Sequence, residues 1–409
     1  MATDNRQEVT MSTIAAMART IRDSLYEPIF KRAWPIWIGA LAFAVTNILM
    51  AAFARGIGVF PQMSMWGASI LNAIGIDVEA PFAPYPVTPV LLDLHSMINF
   101  GIILGVLGSA LIAREFKLRT DNWRGYAQGF LGGVLMGWGT VMTPPCNVGG
   151  FGTAVMALSL SGFLMAVGLV PGAFVGAMLL KWQSKRAISQ IDFKDAPIQV
   201  NTSRYQSSRR PLLGWLVFLL IFVAVVVYSI YDRSNFAVLL LFGAVFGIIF
   251  QRSRLCFAAG FRDIFVARDT KLLRWILVAE MMGMVGFSIL KFKGFIASDH
   301  FVFPTGINSV AGGFVFGIGM VIAGGCGAGI LWRSVEGYVR HWFAIIGGML
   351  AAGSWVLLYG AKVGEGWLYG PKVFLPDVLG WPGVLIVGSL MLVVFYIILV
   401  LVEVKKKNG

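Results

Sequence analysis

Charge is scarce in this 409-residue chain. Asp, Glu, Lys and Arg together make up 13% of it, against 57% hydrophobic residues and a mean hydropathy of +0.78. A soluble domain holds far more charge, so the composition excludes that class and indicates an integral membrane protein. Histidine and cysteine are equally sparse. The three histidines, His95, His300 and His341, are scattered, and the three cysteines, Cys146, Cys256 and Cys326, stand 110 and 70 residues apart. There is no CxxC and no Cys/His zinc spacing, so no structural metal, disulfide framework or other cofactor is expected. The polar start of the chain lacks the apolar core and small-residue cleavage site of a secretory signal, and is expected to stay on the cytoplasmic side.

Acidic residues are also few, 20 against 33 Lys and Arg, for a net charge of +13. In a soluble protein that excess would suggest nucleic acid. Here no nucleic-acid motif accompanies it, and the bases collect in loops, so no such partner is expected. About ten apolar segments occupy 36–54, 95–113, 126–142, 158–180, 212–231, 236–250, 275–290, 310–323, 342–360 and 381–402, several long enough to cross a bilayer. Clusters around Arg114–Arg124, Lys181–Arg210, Arg252–Arg274 and Lys405–Lys407 are assigned to the cytoplasm by the positive-inside rule. Both termini are then cytoplasmic, and 56–93, 291–309 and 361–379 fall outside.

The polar stretch 183–211 reads as a linker between two membrane repeats, 36–182 and 212–402, flanked by a cytoplasmic segment 1–35 and a basic tail 403–409. A repeat is visible in the residues themselves. GGVLMGWGTVMTPPCNVG (132–149) matches GGFVFGIGMVIAGGCGAG (312–329) at a constant offset of 180, and five glycines and a cysteine coincide. The first run starts after the basic Arg124 and the second ends at the basic Arg333. The two therefore enter from opposite faces, as in inverted-repeat transporters with a site near the midplane. The expected fold is an all-α integral membrane protein of two inverted repeats, with broken or re-entrant helices carrying the cysteines.

The breaks are chemically distinct. Pro144 and Pro145 lack N–H donors and end a helix; Gly149, like Gly324, Gly325, Gly327 and Gly329 in the other half, permits irregular backbone or close packing. Irregular backbone at membrane depth survives only where it is buried in protein or lines a cavity. Helix N-termini beyond such breaks suit an anion, with Cys146, Asn147 and Cys326 beside it. Cys256 lies in QRSRLCFAAGFRDIF (251–265), too short to cross and return, and reads as a re-entrant or interfacial segment. Arg254 and Arg262 beside its thiol would favour a thiolate. Arg333 and Glu336, three residues apart, are placed to pair on a helix.

QRSRLCFAAGFRD (251–263) and GIGMVIAGGCGAGILWRSVEG (317–337) are similar to the two motifs of the YeeE/YedE family of sulfur-compound transporters, and most of the chain resembles the longer, selenium-associated YedE-like branch. One departure stands out: Pro144-Pro145 precede Cys146 where family members usually carry glycine. The resemblance implies a transporter rather than an enzyme, in the bacterial inner membrane, taking up thiosulfate or a related sulfur or selenium anion. It also implies a relay of cysteine thiols and delivery to a small cytoplasmic sulfurtransferase-like (TusA-like) protein. A polarizable terminal sulfur suits a weak S–H donor. A thiol oxidoreductase, or a channel for another small solute, is the alternative.

Overall fold

A computed structural model describes residues 27–28, 32–76, 89–143, 146–188, 210–359 and 370–407. Each of the ten apolar segments is helical over most of its described residues. The first half contains α1 (Ile36–Phe53), α2 (Phe60–Ala73), α3 (Ser96–Ile112) and α4 (Trp123–Met142). A π-helical segment (Val148–Thr153), continued by Ala154–Met156, leads into α5 (Leu160–Ile188). The second half contains α6 (Arg210–Ile230), α7 (Ser234–Ser253), α8 (Phe257–Val266), α9 (Lys271–Phe292), α10 (Ile307–Ala323), α11 (Gly327–Val335), α12 (Val339–Tyr359) and α13 (Leu375–Lys407). Seven helical stretches among the described residues are long and apolar enough to cross a membrane, so the protein is an all-α, multi-pass membrane protein.

Burial separates the centre from the rim. The apolar windows of the α10–α11 stretch and of α6 are 72% and 17% buried, which puts the first inside protein and leaves the second a lipid-facing surface. The exposed Leu212, Leu216, Leu219 and Phe222 of α6 need no protein partner in hydrocarbon.

Local chemistry sets the helix ends. Asn122 accepts the Gly125 N–H at 2.8 Å and starts α4, as a side-chain cap does. Gly324 ends α10 in the left-handed region (φ 83°), where a residue with a Cβ is strained.

Two expectations need correction. The stretch 56–93 is not simply an external loop, because it contains α2. Phe60, Pro61, Gln62, Met63 and Ser64 are buried, and Gly67 lies against the Met349 backbone of α12. With Gln62 and two serines α2 is too polar for lipid, but it is shielded by protein. The domain boundaries also fall inside helices: α5 runs past 182 to Ile188, α6 starts at Arg210, and α13 runs through the expected tail to Lys407. Residues 189–209 lie outside the described residues.

Close glycine contacts fix the packing. On α4 and α10, a Cβ at Gly132 would lie 2.7 Å from the Gly319 carbonyl, and one at Gly319 would lie 2.7 Å from that of Gly132. Seven residues along, a Cβ at Gly139 would lie 2.8 Å from the Gly312 carbonyl, and one at Gly312 would lie 3.0 Å from that of Gly139. The two helices therefore run antiparallel, backbone against backbone, as small residues allow in membranes. Other pairings come in exchanged sets. α4 packs on α12 as α10 packs on α5, α1 on α9 as α7 on α3, and α2 on α12 as α8 on α5.

Replacing Gly139 with Leu is expected to force α4 and α10 apart, at the overpacking cost of about 1–3 kcal/mol. Gly383→Ala, whose Cβ would meet only Leu379 of its own helix at 3.3 Å, should be near neutral. Thermal unfolding of both variants in detergent checks this. Between helices, His300 Nε2 accepts the Gly56 N–H at 3.3 Å. Burial, with Lys291 and Arg55 nearby, pushes its imidazole from 6.5 down to about 4. The unfolded chain binds this proton more readily, so the stability that the neutral ring contributes is present above pH 6.5 and lost as pH falls towards 4. The stability advantage of wild type over His300→Gln should therefore shrink over that window, as read from paired melting curves.

Candidate functional site

Four chain segments resume as helices deep in the protein, at α2, the π segment, α8 and α11. A buried residue stands at or just before each start. Val59 precedes Phe60 and α2, Cys146 and Asn147 precede Val148, Cys256 precedes Phe257, and Cys326 precedes Gly327. The three thiols are free and buried, at 0%, 1% and 0% exposure for Cys146, Cys256 and Cys326.

All three lie beside the first turn of α11. Gly327 faces Cys146: a Cβ there would lie 3.5 Å from its sulfur. Gly329 faces the other two: a Cβ would lie 2.9 Å from Cys256 Sγ and 3.3 Å from Cys326 Sγ. The Cys256 and Cys326 thiols also approach each other. Cys326 caps α11 by accepting the Gly329 N–H at 3.3 Å. The absence of side chains at Gly327 and Gly329 leaves room for Cys146 beside the first and for Cys256 and Cys326 beside the second. Rings of Phe60 and Phe316 (6.2 Å, edge to face) and of Phe151 and Phe257 (6.4 Å) pack nearby, in a site built from thiols, backbone amides and aromatic faces.

Other expected site residues are placed as follows. Asn147 is fully buried. Its Nδ2 reaches Met320 Sδ at 3.5 Å and its Oδ1 has no hydrogen-bond partner. Gly149 is buried in the π segment, a helix type that concentrates at functional sites. Pro144 and Pro145 lie outside the described residues. The Gly324 and Gly325 amides both donate to the Met320 carbonyl, at 3.1 and 3.0 Å, so the helix end takes them.

The charged residues depart from expectation. Arg333 and Glu336 do not pair, because each is turned towards a different helix end. Arg333 donates to the Gly324 carbonyl at the end of α10. Glu336 accepts from Arg254 at 2.8 and 2.7 Å and from Gln251 at 2.9 Å. Arg254 also pairs with Glu115 at 2.8 Å, which Arg252 contacts too. Arg254 is thus occupied by two carboxylates, and Arg262 pairs with Asp263 at 2.8 Å, 30% exposed. Arg254 takes a left-handed conformation (φ 58°) at a cost of about 1 kcal/mol, and so turns the chain out of α7 two residues before Cys256. The carboxylates hold that turn.

Sequence reasoning missed the α2 start, Glu115 and one further residue, Glu280 of α9. Glu280 is the single acid within an apolar run, ILVAEMMGMV, and such intramembrane ionisable residues mark functional sites. A cavity of about 360 Å3, lined by Arg119, Asp121, Gly324, Tyr338, Arg340 and His341, opens beside the turn that leads to Cys326.

Residues 5–175 and 252–408 match the family described as "Sulphur transport". The chain belongs to this family. It is 27% identical over 342 residues to the "Probable transporter YedE" of Escherichia coli K12, covering 81% of this chain and 83% of that protein. The Salmonella typhimurium protein of the same name is 28% identical over 343 residues, with the same coverage. The "Thiosulfate transporter TsuA" of Spirochaeta thermophila is 38% identical over 110 residues, 26% of this chain and 32% of that protein. Membership makes this chain a membrane transporter of sulfur compounds.

Gly329→Ala would push a methyl group between two sulfurs of this family member. We expect it to fold, to lose most sulfur-compound uptake, and to change the rate at which a small membrane-permeant maleimide modifies Cys256 and Cys326. Mass spectrometry of the labelled protein checks this.

Proposed function

We infer that the protein takes up thiosulfate, or a closely related sulfur or selenium anion, by passing it between Cys146, Cys326 and Cys256. One observation carries this reading: three free, buried thiols from distant parts of the chain surround two side-chain-free positions, Gly327 and Gly329. A soft terminal sulfur can touch weak S–H donors there and leave again, where a buried guanidinium would hold it. The name of the TsuA relative supports thiosulfate as the substrate.

The exchanged helix contacts and the antiparallel α4–α10 crossing support an inverted repeat, with Cys146 and Cys326 related by a pseudo-two-fold axis in the membrane plane. Arg254, at the turn before Cys256, and the Arg119–Arg340 cavity beside Gly324 lie at basic chain segments, which the positive-inside rule assigns to the cytoplasm. Cys256 would then be the inner end of the path, with both termini cytoplasmic in a bacterial inner membrane. A small sulfurtransferase-like protein would receive the anion there. No enzymatic step and no nucleic acid enter this scheme. The approach of the Cys256 and Cys326 thiols favours a second reading, a membrane thiol oxidoreductase that forms a disulfide between them.

Proteoliposome uptake of thiosulfate, sulfite, selenite and sulfate tests the proposal. Wild type should accumulate thiosulfate, and Cys146→Ser and Cys326→Ser should each reduce uptake by about tenfold or more, since serine keeps the volume but replaces a soft sulfur with a strongly hydrated oxygen. Wild-type rates in both variants would overturn the thiol path. If wild type shows no uptake and a Cys256–Cys326 disulfide that forms and breaks with an electron acceptor, the oxidoreductase reading holds instead.

A further inference from the structure

Glu280 is the one acidic side chain on α9, and it is fully buried. Neither carboxylate oxygen has a hydrogen-bond partner. Oε1 lies 3.3 Å from where a Cβ on Gly152 would sit, a point 3.5 Å from the Phe257 ring. The carboxylate thus faces Gly152 of the π segment that follows Cys146 and stands near the first residue of α8, directly after Cys256. We propose that Glu280 is a proton-binding site, and that its proton enters with the anion. This rests on the anion-uptake reading above.

The surroundings support it. An ionised carboxylate in a dry interior needs a cation, a metal or several donors, and the elements around Glu280 offer none. α1 and the π segment with its extension contain no titratable residue. Of their polar side chains, Asn47 and Thr153 bond to one another at 3.1 Å and to the Ile57 backbone at 2.9 Å, and the hydroxyl of Thr46 carries no charge. α8 contributes Arg262 and Asp263, paired with each other, and the thiol of Cys256 before its first turn. α13 contributes Asp377 near its start and, near its end, Lys405–Lys407 and Glu403, which pairs with Arg274 at 2.6 Å. On α9 itself, Arg274 is six residues away, about 9 Å along the helix, and Lys291 eleven, about 16 Å. Lys291 donates to the Ala157 and Ser298 carbonyls at 2.8 and 2.9 Å.

A hard metal cation wants six or so convergent oxygens, whereas a proton needs one. The coupling follows from charge. A dianion moving among neutral thiols would be repelled by an ionised Glu280 across Gly152 and Phe257. A proton on that side chain removes the repulsion, so each ligand favours binding of the other, and the linkage is reciprocal. No bond to sulfur changes: the proton is taken up from one side and given up on the other with the anion.

The test is thiosulfate uptake by full-length protein in vesicles enclosing a pH-sensitive dye. In wild type, external thiosulfate should acidify the lumen, and an inward acid gradient should speed uptake by about tenfold, in the range of ordinary coupling. Glu280→Gln should still exchange internal for external thiosulfate but lose both effects. Wild-type uptake without lumenal acidification, uptake that follows a sodium gradient instead, or an unchanged proton response in the variant would each overturn the proposal and leave the transporter reading standing. If wild type takes up no thiosulfate, that reading fails. The proton site is then decided by infrared spectra of the solubilised protein: a neutral-acid carbonyl band present in wild type and absent in Glu280→Gln supports it, and a wild type without that band overturns it. Should Glu280→Gln not fold, the wild-type dye signal and the wild-type band decide alone.

Discussion

Backbone touches backbone between α4 and α10, and the rest of the molecule is arranged around that contact. Lipid tails are as apolar as leucine, so burial does not draw two membrane helices together; dispersion at short range does. Gly132, Gly139, Gly312 and Gly319 allow that range by having no side chain, and each meets a glycine seven residues out of register in the other half. An isologous contact of this kind works only if the partners run in opposite directions. Antiparallel direction in turn makes the two breaks fall at opposite ends of the pair. The chain leaves α4 beside Asn308, whose Nδ2 donates to the Met142 carbonyl at 3.0 Å, and returns by Asn147 to the level of Met320. The other half comes back through Gly327 to Cys146.

Bringing irregular backbone back into the core has consequences for its polar groups. Water cannot satisfy them, so the protein must. The π segment is tied down by the Asn47–Thr153 pair, by Thr153 to the Ile57 carbonyl at 2.9 Å, and by Ile57 N–H to Asn47 at 2.9 Å. The same residues hold the turn into α2, whose Val59 carbonyl accepts from Asn99 at 3.0 Å. At the α7–α8 turn, Glu115 and Glu336 take over, because a left-handed arginine there needs compensation. Not every buried polar atom finds a partner: Asn147 Oδ1 and both oxygens of Glu280 have none, and neither do Gln62 Oε1, Asn99 Oδ1 and Asn308 Oδ1.

Much of this was legible in the chain. The apolar runs gave the helices, and the 180-residue coincidence of glycines and cysteines pointed to the pair of segments that do cross. Cys146, Cys256 and Cys326 stood out because rare residues sat at breaks in apolar runs. Two kinds of feature were not legible. α2 has the polarity and flanking prolines of a loop, and only the shelter of α12 and α10 makes it a buried helix; hydropathy reports lipid contact and is blind to protein contact. The ionic partners were also missed. Arg333 and Glu336 are suitably spaced along one helix, but Arg254 and Glu115 come from elements distant in sequence, and spacing within one helix says nothing about those.

The exchange of helix contacts is close, yet the chemistry placed upon it is unequal. α2 begins at Val59-Phe60 and α8 at Cys256-Phe257, in matching positions before matching aromatic residues. Where one half has an apolar β-branched side chain, the other has a thiol. Likewise the first half meets its cysteine through prolines and the second through glycines. A symmetric scaffold with identical sites would bind an anion equally well from either face, and would offer no sequence of stations. With thiols at three of the four helix starts, the sulfurs of Cys326 and Cys256 crowd around Gly329 while Cys146 stands alone at Gly327. The surroundings therefore differ along the first turn of α11, with one sulfur at Gly327 and two at Gly329. Packing keeps the two halves alike, and the identity of the side chains at the helix starts makes them chemically different.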